Sequence, residues 1–279
     1  MSNFDEATRI VHEALLQFEE SGGRELRASR ESLTRLTRTR SAPLQTAHPI
    51  GTPAKHVAPV MAFATPGECG KKADLMAALQ ARALVCEKCE HLVRSRTQVV
   101  FGVGNIDAEL MFVGEAPGAD EDAQGEPFVG KAGQLLTKII EAMGFSRNDV
   151  YIGNVLKCRP DMPAGEPGNR KPRPDEMATC LPYLIEQIEI IRPRVMVALG
   201  ATAMEGLLQA KEPMNRLRGH WHEFHGIPLM ATYHPAYLLR NQSNTEKRKV
   251  WEDMLLVLEK LGKPVSEKQR NYFLPKSGA

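Results

Sequence analysis

Cys86, Cys89, Cys158 and Cys180 are the residues of this chain best suited to inorganic chemistry. Cys86 and Cys89 form a Cys-x-x-Cys pair, which presents two thiolates from one tight turn. The other two arrive singly, 69 and 91 residues after Cys89, so there is no second knuckle of the zinc-ribbon kind. Four thiolates delivered from separate segments suit a [4Fe–4S] cluster at least as well as a zinc ion. Cys69 stands outside the set and reads as a spare thiol. Metal-like cysteine spacing argues for a reducing compartment over a disulfide framework, so a cytoplasmic location is expected.

A second set of groups follows four apolar runs. These are Gly114-Glu115-Ala116-Pro117-Gly118, then Asn154, then Gly200-Ala201-Thr202, then Tyr233-His234-Pro235. Taken singly, each is an ordinary turn residue. Taken together they offer a carboxylate, an amide and an imidazole to one crevice, because ligands of open α/β sheets sit beyond the carboxyl ends of the strands. The run Gly114 to Gly118 lacks the lysine of a Walker loop and is not a GxGxxG fingerprint. The acidic run Asp120-Glu121-Asp122 behind it further disfavours a triphosphate without a divalent metal. Phe128, the one aromatic of a glycine-rich loop over 125–133, either anchors that loop or offers a stacking face to a planar ring.

The elements that must position these groups are legible from periodicity. Apolar runs at Leu110–Val113, Val150–Leu156, Val195–Leu199 and Pro228–Thr232 read as buried strands. Helical patterns cover Gly133–Met143, Pro174–Ile191, Ala201–Leu208 and about Glu246–Leu261, and another runs from Ala73 to Leu84. Alternation of strand and helix predicts an α/β fold with three α/β/α layers around a mainly parallel, four-stranded sheet. An N-terminal helix is expected over 4–20, and a basic, flexible stretch over about 24–72. The expected boundaries are an extension over 1–78, the folded domain over 79–262 and a tail over 263–279.

Composition sets outer limits. The chain has 279 residues, 42% hydrophobic and 25% charged, as ordinary globular domains do. It has no apolar run of about 18 residues, so no membrane partner is expected. A net charge of +2 neither supports nor excludes nucleic acid.

The motifs together resemble family 4 uracil-DNA glycosylases, the iron–sulfur branch of that superfamily. The matching pieces are Cys86-x-x-Cys89, Gly114–Gly118, Pro127–Gln134, Asn154–Pro160, Gly168–Arg170, Cys180, Leu199–Thr202 and His234–Arg240, in family order. The resemblance implies that Cys86, Cys89, Cys158 and Cys180 hold a [4Fe–4S] cluster. It implies that uracil, flipped from DNA, stacks on Phe128 and is read by Asn154, with backbone around Gly114, Ala116 and Gly118 lining the base. His234 would donate to uracil O2, and Glu115 and Glu121 would handle water. Arg170 and Arg240 would meet DNA, and a monomer is expected. Ala116 stands where other branches place an Asp or Asn, so no general base is identified. The loop Arg159–Arg170 is longer than the family form and carries no histidine for covalent trapping of the sugar. No lysine stands at a strand end, which disfavours a Schiff-base lyase. The runner-up is a non-catalytic iron–sulfur DNA-binding module.

Overall fold

The structure, a computed structural model, describes residues 66–163 and 168–274. The helix expected over 4–20 and the basic stretch up to 65 lie outside the described residues. Helix α1 (Pro66–Leu84) begins earlier than the expected start near Ala73, at a proline whose fixed φ suits a first helical turn. α2 (Glu90–Ser95) starts directly after Cys89.

Six strands follow: β1 (Val103–Gly104), β2 (Leu110–Gly114), β3 (Tyr151–Asn154), β4 (Val195–Leu199), β5 (Trp221–Phe224) and β6 (Ile227–Thr232). Their order in the sheet is β1-β3-β2-β4-β6-β5. The central four are parallel and correspond to the four apolar runs. The two edge strands are antiparallel and correct the expected count from four strands to six. Neither edge announces itself in sequence. β1 is two residues long, and β5 reads Trp-His-Glu-Phe with mostly solvated side chains, as edges that discourage further pairing often do. β5 and β6 are joined through His225 and Gly226, both at positive φ, which matches the twist of a two-residue hairpin.

Between and after the strands run α3 (Ala119–Gln124), α4 (Lys131–Ala142), α5 (Pro174–Ile191), α6 (Ala201–Leu208), α7 (Met214–Leu217), α8 (Pro235–Arg240), α9 (Asn244–Lys260) and α10 (Glu267–Arg270). Successive strand residues face opposite sides, so each strand feeds two cores. Met111, Val113, Met196, Ala198, Leu229 and Ala231 pack with α1, α5 and α6. Leu110, Phe112, Val195, Val197, Leu199 and Met230 pack with α4 and α9. This is the expected three-layer arrangement. Residues 263–274 fold back onto the second core, where Trp251 Nε1 donates to the Gln269 carbonyl at 2.6 Å and Gln269 Nε2 to the Ala142 carbonyl at 2.9 Å. Among the described residues no helix is long and apolar enough to cross a membrane.

α9 is tied to the sheet by a buried ion pair. Arg218 donates to both carboxylate oxygens of Asp253, at 2.7 and 3.1 Å, and Thr232 Oγ1 donates at 2.7 Å. Burial still pushes Asp253 up to about 6, against the pull of Thr232 and Arg218. Arg218→Met should therefore lower stability by about 3–5 kcal/mol near pH 8, because a buried carboxylate loses its cation. The loss should shrink below about pH 6, where a proton neutralises Asp253. Thermal unfolding at the two pH values checks this, and an equal loss at both would contradict it.

Candidate active site

The carboxyl ends of β2, β3 and β4 and the turn after β6 meet at one crevice. Gly114 and Asn154 are directly paired in register at the ends of β2 and β3. A Cβ built on Gly114 would lie 2.5 Å from Phe128 Cζ and closer still to Asn154 Oδ1. The Phe128 ring in turn lies 5.6 Å, centroid to centroid, from the imidazole of His234. A Cβ on Gly200, at the end of β4, would stand 3.0 Å from the Cβ of His234. The structure thus brings Gly114, Phe128, Asn154 and His234 together.

Asn154 is 2% exposed, and its Oδ1 has no hydrogen-bond partner. Leaving such a buried acceptor unmet costs about 1–3 kcal/mol, which a donor from a ligand would recover. His234 caps α8, and its Nδ1 accepts the backbone N–H of Ala236 at 3.1 Å. An accepting Nδ1 leaves the proton on Nε2, so the neutral ring is a donor there. Burial, aided by the charge of Arg240, pulls this histidine down to about 4. It is a neutral donor throughout the physiological range.

Phe128 has φ 57, a strained region for a bulky residue. Its surroundings over-determine it. Arg147 donates to the carbonyls of Pro127 at 2.9 Å and Phe128 at 3.2 Å. Glu121 holds the other side: Oε1 accepts from Val129 and Gly130 at 3.1 and 3.0 Å, and Oε2 accepts from Gly118 at 3.1 Å. Glu121, expected at the attacking water, therefore has both oxygens on backbone amides and welds the Gly114–Gly118 turn to the Phe128 loop. Arg147, in the turn between α4 and β3, is singled out by no motif in the sequence.

Glu115 is half-buried, burial raises its pKa, and a hydrogen bond with Thr202 at the start of α6 opposes that rise. Ala116 packs on the core. Gly118 is crowded by Glu121 and by Asn169, which brings the lengthened loop back to the crevice. Gly114→Ala should lower turnover roughly 100-fold, since a displacement near 1 Å at a reacting site has about that effect. A thermal midpoint that moves little, measured alongside, would separate this from unfolding.

Arg170, expected on DNA, is instead held within the protein. It donates to Glu176 at 2.9 and 2.6 Å and pairs with Asp161, while His91 Nε2 lies 2.7 Å from the same Glu176. His91, Asp161 and Glu176 bring ligand atoms within 4.8 Å of one another, but the guanidinium already supplies the positive charge there. Arg240 is exposed at the end of α8 and has no ion-pair partner among the described residues. A separate apolar groove of about 610 Å³, lined by Leu135, Ile139, Leu239, Val250 and Trp251, shares no residue with the crevice.

Cys158 lies four residues beyond Asn154, so β3 links the cysteines to the crevice. Cys86 follows α1, Cys89 precedes α2, Cys158 follows β3 and Cys180 lies in α5. None is in a disulfide. Burial raises the pKa of Cys89 and Cys158 and takes Cys180 to about 12, and in each the charge of Cys86 adds to the rise. N–H donors face the sulfurs: Arg96 Nη1 to Cys158 Sγ at 3.1 Å, and the Lys157 backbone to Cys180 Sγ at 3.2 Å. Such donors are typical around metal-bound thiolates.

A family model described as Uracil DNA glycosylase superfamily matches residues 101–255. The type-4 uracil-DNA glycosylase of Thermotoga maritima is 47% identical over 186 residues, 65% of this chain and 92% of that protein. That of Archaeoglobus fulgidus is 43% identical over 180 residues, covering 60% and 87%. A type-5 enzyme from Pyrobaculum aerophilum is 31% identical over 189 residues, covering 56% and 80%. Sheet order, the crevice at the strand ends and these matches agree: the chain belongs to the uracil-DNA glycosylase superfamily, within its type-4 family.

Proposed function

We infer that this protein is a DNA-repair glycosylase that hydrolyses the N-glycosidic bond of uracil in DNA, releasing free uracil and leaving an abasic site. The observation that carries this reading is the orphaned, buried Oδ1 of Asn154, which lies against Gly114 as the Phe128 ring does. A uracil rotated out of the duplex would stack on Phe128 and give its N3–H to Oδ1, while Asn154 Nδ2 donates to O4. Cytosine offers an acceptor at N3 and an amine at C4, which mismatches both groups.

As the C1′–N1 bond breaks, the electron pair moves onto the base and the sugar becomes cationic. The neutral His234 Nε2–H meets the negative charge developing at O2, in the manner of an oxyanion-hole donor. Water adds to C1′, and the proton it gives up neutralises the departing uracil anion, directly or through solvent. Glu115, hydrogen-bonded to Thr202, is the carboxylate we assign to that water. Glu121 acts through the two loops it joins, and backbone around Gly114, Ala116 and Gly118 lines the base. Phosphate contact falls to exposed cations such as Arg240, because Arg170 is committed to Glu176 and Asp161.

The four-cysteine site suits a [4Fe–4S] cluster, which when bound cross-links α1, α5 and the segment after β3. The donor set fits such a cluster: four thiols delivered from separate segments, two of them buried and facing N–H donors from Arg96 and the Lys157 backbone. Thiols kept reduced also fit a cytoplasmic location.

The test is incubation with single-stranded, U·G and U·A oligonucleotides, scored by free uracil and by alkali-labile strand cleavage. Release from all three is expected. Failure to release uracil from any of them would sink the reading. Anaerobically purified protein should contain iron and sulfide, and stoichiometric zinc without iron would overturn the cofactor assignment alone.

A further inference from the structure

We propose that Lys157 and Arg96 are the internal counter-charges of the four-cysteine site, two fixed cations that set the energy of the electron count held there. This rests on the cluster reading above. Four thiolates on a core of charge 2+ leave a net charge of 2−, and two cations neutralise it.

Lys157 is 1% exposed, an extreme burial for a lysine. Its Nζ donates to Gln187 Oε1 at 2.5 Å and lies 5.9 Å from the centroid of the Phe101 ring. Both partners are neutral, and among the described residues no carboxylate pairs with it. Gln187 is 0% exposed and held in that orientation, because its Nε2 donates to the Phe101 carbonyl at 3.0 Å and to Tyr151 Oη at 2.9 Å. The network accordingly presents an oxygen to Lys157 and fixes the ammonium in place without neutralising it. A buried charge met only by dipoles is unfavourable, and an anion within reach offsets that cost.

The chain itself points to that anion. Lys157 precedes Cys158, its backbone N–H donates to Cys180 Sγ at 3.2 Å, and the charge of Cys180 acts on its ammonium. Arg96 approaches through one sulfur and one carbonyl: Nη1 donates to Cys158 Sγ at 3.1 Å and Nη2 to the Cys86 carbonyl oxygen at 2.9 Å. The Lys157 ammonium is thus within electrostatic reach of Cys180, and the Arg96 guanidinium is bound to the Cys158 sulfur and the Cys86 backbone. Neither takes part in the crevice chemistry. A lysine that only filled space would need no such network, and methionine would fill the position as well.

The measurement uses the holoprotein as purified without oxygen: iron and sulfide per chain, then the midpoint potential of the cluster by voltammetry. Lys157→Met and Arg96→Met should each retain iron and show a lower potential, because losing a nearby cation favours the less negative, oxidised state. The equilibrium should move about tenfold per charge removed, about 59 mV for a one-electron couple. Lys138→Met, at an exposed site on α4, should leave the potential unmoved. Full iron with an unchanged potential in Lys157→Met overturns the proposal. If that variant does not fold, Arg96→Met decides alone, and an unmoved potential there overturns it equally. Wild-type protein without iron or sulfide would instead remove the cluster reading, and this proposal with it.

Discussion

Asn154→Ala should reduce single-turnover uracil release by about three orders of magnitude, with little change in thermal midpoint. Sites built to hydrogen-bond a substrate lose roughly 10⁴-fold or more when the pairing fails. Here part of the grip survives, because Phe128 stacking contributes about 1–3 kcal/mol on its own. The variant should also lose its preference for uracil over cytosine, since Asn154 presents both a donor and an acceptor to the base edge. Burial supports the stability side of the expectation. Oδ1 has no partner in the folded protein, so truncation removes no internal hydrogen bond from it. Rates within a few-fold of wild type on U·A and U·G substrates would show that the base is read elsewhere.

His234→Ala should lower the rate by about 10²–10³, the usual consequence of deleting one preorganised donor to a developing anion. The pH profile carries the finer test. With its pKa pulled to about 4, His234 stays neutral at pH 5, where an ordinary histidine is mostly charged. Activity attributable to this residue should persist from pH 8 down to about pH 5. Stability should not. The unfolded chain takes up a proton near pH 6.5 that the folded ring refuses until about 4, so folding weakens as pH falls through that window. In His234→Ala the decline between these pH values should be smaller. A wild-type rate that falls with an apparent pKa near 6.5 would contradict the neutral-donor assignment.

Much of this was legible from residue order alone, for identifiable reasons. The four central strands are buried on both faces and so read as unbroken apolar runs. Gly114, Asn154 and His234 stood at their ends, and topology carried them to one place. The edge strands β1 and β5 were invisible because an edge needs neither length nor an apolar face. The side-chain partnerships were invisible for a different reason. Arg147 reaches carbonyls 19 and 20 residues away, and Arg170 satisfies a carboxylate on α5 and another in its own loop. Nothing in a basic residue's neighbours along the chain tells whether it will meet phosphate or a buried acid. Glu121 shows the same ambiguity with the opposite charge: an acidic run looked hostile to anions, while the fold put one of its carboxylates on three amides.

Because Glu121 fastens both walls of the crevice into one piece, the receptor for the base exists before any nucleotide arrives. Work of rearrangement then falls on the nucleic acid. Selectivity among lesions should track how readily each uracil leaves its helix, with unpaired strands served first, wobble pairs next and Watson–Crick pairs last. Catalytic efficiency in such an enzyme is a readout of duplex weakness.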